Sequence, residues 1–345
     1  MCNLAAYVGD RPAAPRLLEL MSRQEGWAGG FYTGLATVHE GQLHLRKVVG
    51  DLATLCAETD AADLPGTIGI IHSRSRSGGD GEWGHPFTDP AGRLAYVANG
   101  ALGWFADSTC VDEHVSGLQA AGCTFRSRVQ GPVGGYPRLR DGSCIHFSEI
   151  MCNLISHGLR AVAEDPIAAL AKAFQDFPGE VVGLALAADH PDLILGFRCN
   201  MPLMVGRRGG ETMLASTAMA FPEPTPEWLL PVPPNCALAV SRQDVLFRPF
   251  PAAPAPVGDW HPLWSQARER VLAELGKGPC GLGGLNRSVL SLWPDSVIPQ
   301  KDFLIYELLR SLCTGGEITI QQRRVEGVLP GTDTPFREAV LSGRP

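Results

Sequence analysis

The chain begins as a strand. Asn3-Leu4-Ala5-Ala6-Tyr7-Val8 is a mostly apolar hexapeptide that starts one residue after a cysteine, Cys2. A short run of this kind reads as a buried strand, so the amino end has to lie inside a sheet. A small side chain at position two also lets methionine aminopeptidases remove Met1. That leaves a thiol and an α-amine on one residue, a nucleophile with its own base. An α-amine titrates at about 7.7–8.0, so part of it is neutral near working pH and can take the thiol proton, directly or through one water. Many chains carry a small second residue to no effect; the reading depends on what accompanies it.

Composition narrows the company it keeps. The 345 residues suffice for two or three domains and a large core. A net charge of −7 argues against a nucleic-acid partner, which needs clustered Lys and Arg. The ten cysteines are scattered, with no Cys-x-x-Cys and no Cys/His spacing that suits zinc. No metal and no cofactor is expected. The start lacks the basic-then-apolar form of a signal peptide, and no apolar run is long enough for a membrane span. The expectation is a cytoplasmic protein, away from membranes.

Along the chain, Pro12–Gln24 reads as a helix and Asp51–Glu58 as a short one capped by Asp51. Gly66–His72 and Arg93–Ala98 read as strands on either side of a polar, glycine-rich loop, Ser73–Glu82. Glu149–Arg160 and Asp165–Phe177 read as helices, followed by a meander of short strands to Arg248. Residues 250–259 are Pro/Ala-rich and read as a linker. Beyond it, Trp264–Gly276 and Lys301–Cys313 read as amphipathic helices and Glu317–Gln321 as a strand. The expected domains are therefore 2–249 and a small α+β unit, 260–345, of unknown role.

Five segments then fall in a telling order: Cys2; the glycine turn and strand of Gly26–Thr37; His72-Ser73-Arg74; Gly84-His85-Pro86-Phe87; and Val97-Ala98-Asn99-Gly100. In this order and spacing the chain resembles the class-II glutamine amidotransferases, N-terminal-nucleophile amide hydrolases with a catalytic cysteine, and in particular the glutaminase domain of glucosamine-6-phosphate synthase. The resemblance covers roughly residues 2–248 and extends through Pro178–Gly183 and His190-Pro191-Asp192 to Ala215-Ser216. It implies an α+β fold, a four-layer αββα Ntn-hydrolase sandwich of two antiparallel sheets, with the C-terminal unit added.

The resemblance also implies roles. Cys2 attacks the glutamine γ-amide. The Asn99 amide and the Gly100 N–H stabilise the oxyanion, where losing one donor typically costs about 10²–10³ in rate. Arg74 grips the substrate carboxylate, for which a guanidinium is suited. Ser77 contacts the same carboxylate, and the loop 75–82 closes over the substrate. His85 belongs with the substrate-binding group, orienting the loop behind the nucleophile. Each has a plainer alternative: Asn-Gly is a common turn pair, Arg74 could be a solvated loop arginine, and His72 reads as a hydrogen-bonded core histidine rather than a base. Arg268, Arg270, Arg323 and Arg324 read as surface charge.

The chain departs from the family pattern in four places. Ser75 replaces the gating tryptophan, Gly78 the loop histidine, and Asn3 the glycine after the nucleophile. The aspartate that takes the substrate α-amine aligns with Phe147, leaving Asp141, Glu149 or no acid for that task. The implied activity is ammonia release from glutamine for an acceptor elsewhere, with a separate synthase subunit and a homo-oligomer both open. One alternative is a stand-alone amidohydrolase of larger γ-glutamyl compounds; the other is a non-catalytic scaffold that keeps the fold.

Overall fold

The computed structural model describes residues 2–101, 110–162 and 164–343. Two antiparallel sheets carry the amino-terminal part. The first has seven strands in the spatial order Trp228–Pro231, Met204–Arg208, Glu211–Ala215, Asn3–Val8, Ile68–Arg74, Tyr32–His39 and Gln42–Val48. The second has six, in the order Val245–Pro249, Cys236–Val240, Ile194–Arg198, Glu180–Ala187, Leu94–Ala101 and Phe87–Thr88.

The alternation of side chains along each strand stacks these sheets. Leu4, Ala6 and Val8 enter a core shared with Ala95, Val97, Val182 and Leu184 of the second sheet. Ala5 and Tyr7 point the other way, onto Leu17, Leu20 and Met21 of the helix Ala13–Gln24. On the far face of the second sheet, Tyr96 and Ala98 pack with Ile150, Leu170 and Phe174 of the helices Phe147–Ala161 and Pro166–Asp176. The layers run helix, sheet, sheet, helix, the α+β sandwich expected from the sequence. Asp51 caps the helix Leu52–Glu58, accepting from Thr54 N–H at 2.9 Å.

The carboxy-terminal part has a core of its own. Helices Trp264–Leu275, Leu282–Val289 and Lys301–Thr314 pack on a three-stranded sheet whose middle strand is Asp333–Leu341, flanked by Cys280–Gly281 and Ile318–Glu326. Trp27 from the amino-terminal part is buried in that core. The Pro/Ala segment is tied down rather than loose: Asn235 and Ala255 exchange two hydrogen bonds, at 2.8 and 3.1 Å. Arg324, read from sequence as surface charge, pairs with Asp333 and also reaches the buried carboxylate of Asp51 at 3.0 Å.

Candidate active site

Strand register delivers the cysteine. Asn3 lies opposite Ser73 and Leu4 opposite His72. One residue beyond the strand's end, Cys2 meets Ser75, whose N–H donates to Sγ at 3.4 Å and whose Oγ lies 3.5 Å from it. The second sheet contributes Asn99. Its Oδ1 accepts from Cys2 N–H at 3.2 Å, and its Nδ2 donates to the Cys2 carbonyl at 2.6 Å. Asn99 and Gly100 therefore do not form a turn; they sit inside the strand Leu94–Ala101, paired with Val182 and Val181. Gly100 has φ +124°, a backbone that favours glycine. Met1 lies outside the described residues.

Three buried imidazoles pack behind the thiol. The ring centroids of His72 and His85 are 4.0 Å apart and those of His85 and His146 are 5.1 Å apart. His72 Nε2 is 2.9 Å from the Ala98 carbonyl, His85 Nε2 is 2.9 Å from Ser148 Oγ, and His146 Nε2 is 3.0 Å from the Tyr136 hydroxyl. Burial, reinforced by nearby positive charge, holds His85 and His146 well below the usual imidazole range, so both are neutral near pH 7. Burial alone would raise the Cys2 thiol. The neighbouring His72, the positive charge of the chain's amino terminus and the Ser75 N–H outweigh it and bring the thiol down to about 6. A thiol so lowered is mostly thiolate at neutral pH, the nucleophilic form.

Arg74 ends the strand Ile68–Arg74 and is 1% exposed. Its guanidinium lies 4.9 Å from the Tyr32 ring and 5.9 Å from that of Trp83, yet neither terminal nitrogen has a hydrogen-bond partner among the described residues. Among the described residues no carboxylate pairs with it, although the Tyr136 side chain is a neighbour, and burying such a cation is costly. The loop that follows is pinned by Tyr32, whose hydroxyl donates to the Gly79 carbonyl at 2.8 Å. Gly79 has to be glycine: its φ is +84° and a Cβ would come within 2.2 Å of the Trp83 ring. Ser77 Oγ donates to the Ser75 carbonyl at 3.4 Å.

Cys2, Arg74, Ser77, His85, Asn99 and Gly100 all border one cavity of about 450 Å³. The sequence-named residues thus come together. The two acids weighed for the α-amine do not join them. Glu149 is buried and accepts from the N–H groups of Arg126 and Ser127 and from Ser127 Oγ. Asp141 accepts from Ser143 and pairs with Arg128 at 2.7 Å. Phe147 does line the cavity. Ser75, in the loop read from sequence as closing over the substrate, lines it too, and so do residues that sequence reasoning did not place there: Tyr136, His146, Asn200, Lys301 and Asp302. For Lys301 and Asp302, about 300 residues from Cys2, the sequence carries no signal of this.

No family model matches the chain. Curated relatives do. It is 31% identical over 256 residues to the glutamine–fructose-6-phosphate aminotransferase (isomerizing) of Gloeobacter violaceus, covering 73% of this chain and 38% of that protein. It is 33% identical over 224 residues to the enzyme of that name from Methanothermobacter thermautotrophicus, covering 64% and 34%. The chain thus spans between a third and two fifths of the length of these relatives. Among solved structures, the glutamine phosphoribosylpyrophosphate amidotransferase of B. subtilis superimposes with a TM-score of 0.59 at 16% identity, covering 80% of this chain and 58% of that one. The chain belongs to the class-II glutamine amidotransferase domain family, with the Ntn-hydrolase fold. Among its described residues no helix is long and apolar enough to cross a membrane, and no group of three His, Cys, Asp or Glu could hold a metal ion.

Proposed function

We propose that this protein releases ammonia from the side-chain amide of glutamine with Cys2 as nucleophile. With Met1 cleaved, the Cys2 nitrogen becomes an amine whose nearest acceptor is Asn99 Oδ1. The thiolate attacks the amide carbon. Gly100 N–H, and Asn99 Nδ2 once it turns from the Cys2 carbonyl, serve the oxyanion. The amine protonates the departing nitrogen, ammonia leaves, and water releases glutamate from the thioester. Arg74 holds the α-carboxylate, Ser77 assists it, and neutral His85 keeps the cavity wall in place through Ser148. The reading rests on one juxtaposition: the Cys2 thiol, the Asn99 amide and the buried Arg74 guanidinium border one cavity. The curated relatives carry an aminotransferase name. For this chain we place the ammonia acceptor on another subunit or molecule.

A diazo-ketone analogue of glutamine tests this. It is expected to add its mass to Cys2 and to none of the other nine cysteines, only in protein whose amino-terminal sequence starts at Cys2. Cys2→Ala is expected to lose both labelling and ammonia release. Ammonia release surviving that substitution, or labelling spread over other cysteines, refutes the mechanism.

A further inference from the structure

Tyr136 borders the catalytic cavity together with Arg74 and Ser77, and the mechanism above gives it no task. It comes from the irregular segment between the short strands Val129–Gln130 and Ser143–Cys144. Its N–H donates to the Val133 carbonyl at 3.0 Å and closes a tight turn. That turn is seated on the loop after Arg74. A Cβ on Gly134 would come within 2.9 Å of the Ser77 carbonyl oxygen, and the φ of +48° there favours glycine. Rings hold the phenol on three sides: the centroids of Trp83, His146 and Phe147 lie 4.9, 5.1 and 4.8 Å from its own. Packing of this kind leaves the hydroxyl in a fixed place.

The hydrogen bonds at that place settle which way the hydroxyl proton points. His146 caps the helix Phe147–Ala161 with its Nδ1, which accepts from the Ser148 N–H at 3.1 Å. A ring nitrogen that accepts carries no proton. An imidazole keeps at least one, so the proton is on Nε2. Nε2 lies 3.0 Å from the Tyr136 hydroxyl oxygen and is the donor in that bond. The helix cap thus decides the tautomer, and the tautomer decides the hydroxyl: it accepts from His146 and has its own proton left to give. Burial pushes the hydroxyl up to about 12, against the pull of the Arg74 charge, so it keeps that proton near pH 7. Arg74 cannot receive it, since a guanidinium only donates. Among the described residues the proton meets no acceptor.

We propose that Tyr136 is a second anchor for the substrate carboxylate, its hydroxyl donating to one oxygen of the group whose charge Arg74 neutralises. The proposal rests on the reading of Arg74 given above and adds a specificity-determining residue to it. A carboxylate has room for both partners, with about four acceptor positions on its two oxygens. Because His146 fixes the hydroxyl as a donor, the group that meets it has to be an acceptor. The anchor therefore favours an anion twice, by charge at Arg74 and by hydrogen-bond direction at Tyr136.

Tyr136→Phe tests this, because it removes the hydroxyl and keeps the ring with its three contacts. Alkylation of Cys2 by iodoacetamide, which has no carboxylate, reports the thiol alone. Glutamate added to the same reaction reports the anchor, through the concentration that halves the rate. The bare alkylation rate of the variant is expected to stay within about twofold of wild type. The half-protecting glutamate concentration and KM for glutamine are each expected to rise about tenfold, the scale of one hydrogen bond to a charged group, with kcat within a few-fold. Thermal unfolding checks that the variant folds. Unchanged protection and KM overturn the anchor and leave the glutaminase reading standing. A bare alkylation rate that falls as far as protection does also overturns it, and makes Tyr136 a structural wall. Protection by glutamate that weakens as expected, in a protein that releases no ammonia from glutamine, keeps the anchor and overturns the glutaminase reading. A wild type that glutamate does not protect and that releases no ammonia overturns both.

Discussion

Replacing Arg74 by methionine separates substrate binding from folding. A carboxylate on this guanidinium gains two charge-assisted hydrogen bonds, each contributing about 1.5–3 kcal/mol. Losing both, even at the low end, weakens binding by about 3 kcal/mol, or on the order of 10²-fold. The loss falls equally on ground and transition state, so KM for glutamine rises by that factor while kcat stays within a few-fold. The ligand-free protein responds differently. It gives up the ring contacts with Tyr32 and Trp83, about 0.5–2 kcal/mol, but sheds a buried cation whose terminal nitrogens are unpartnered, a penalty of several kcal/mol. Its Tm is therefore expected to hold or rise. Glutamate at about 100 times its wild-type Kd stabilises wild type by about 2.7 kcal/mol and the variant by about 0.4 kcal/mol. Steady-state ammonia release and thermal unfolding with and without glutamate measure all of this. A variant that keeps the glutamate-induced shift, or that loses several degrees of Tm with KM unchanged, would show that Arg74 is a structural cation and not the carboxylate anchor.

Two predictions concern pH. Alkylation of Cys2 is expected to accelerate with a midpoint near the thiol's value of about 6 and to level off above neutrality, and His72→Gln is expected to move that midpoint upward, since burial then acts with less opposition; a midpoint near the ordinary cysteine value of about 8.5 in wild type contradicts the thiolate assignment. Glu25 is buried, and desolvation raises its carboxyl to about 7 despite hydrogen bonds from Ser73, Leu52 and Thr33. Because the folded value lies above the unfolded one, its stabilising contribution is complete below about 4.5, drains away as pH rises and is gone above about 7. The unfolding free energy of wild type minus that of Glu25→Gln should therefore fall between pH 5 and pH 8, by at most roughly 3 kcal/mol, and a flat or rising difference in denaturant titrations would exclude the assignment.

Much of the site was legible because strand ends carry it. Cys2 precedes one strand, Arg74 ends a second and Asn99 lies near the end of a third. Short apolar runs marked the strands; antiparallel pairing puts the start of the first beside the end of the second, and stacking of the two sheets brings in the third. What stayed hidden depends on contacts between distant segments. The strand Asp333–Leu341 contains Pro335, which argues against a central strand. It is tolerated because the short neighbour Cys280–Gly281 pairs only with Glu338 and Ala339, so Pro335 lies where a single partner strand runs beside it. The Phe147 substitution was visible in the sequence. That Lys301 and Asp302 border the cavity was not, because nothing local to them says that their helix ends there.

Asn3 shows how one departure from the family pattern is bound to the added carboxy-terminal part. Its Nδ2 donates to the carbonyls of Gln24 and Ala28 at 2.6 and 2.9 Å, and its Oδ1 accepts from Tyr306. A glycine there could make none of these bonds. The turn it grips also supports Arg74's neighbour: Gly30 N–H donates to Ser73 Oγ at 2.6 Å, and Ser73 Oγ donates to Glu25 at 2.7 Å. From outside, the carboxy-terminal hairpin closes on the same turn. Arg337 donates to the carbonyls of Ser22, Glu25 and Gly26, and Thr334 Oγ1 donates to that of Gly30 at 2.6 Å. The residues next to the nucleophile and next to the guanidinium thus lean on one glycine turn, and that turn is held by residues 334–337. The distance between thiol and guanidinium has to match one substrate backbone to within a fraction of an ångström for efficient attack. On the proposed reading, the carboxy-terminal part therefore braces the turn beneath thiol and guanidinium, and its residues Lys301 and Asp302 border the cavity.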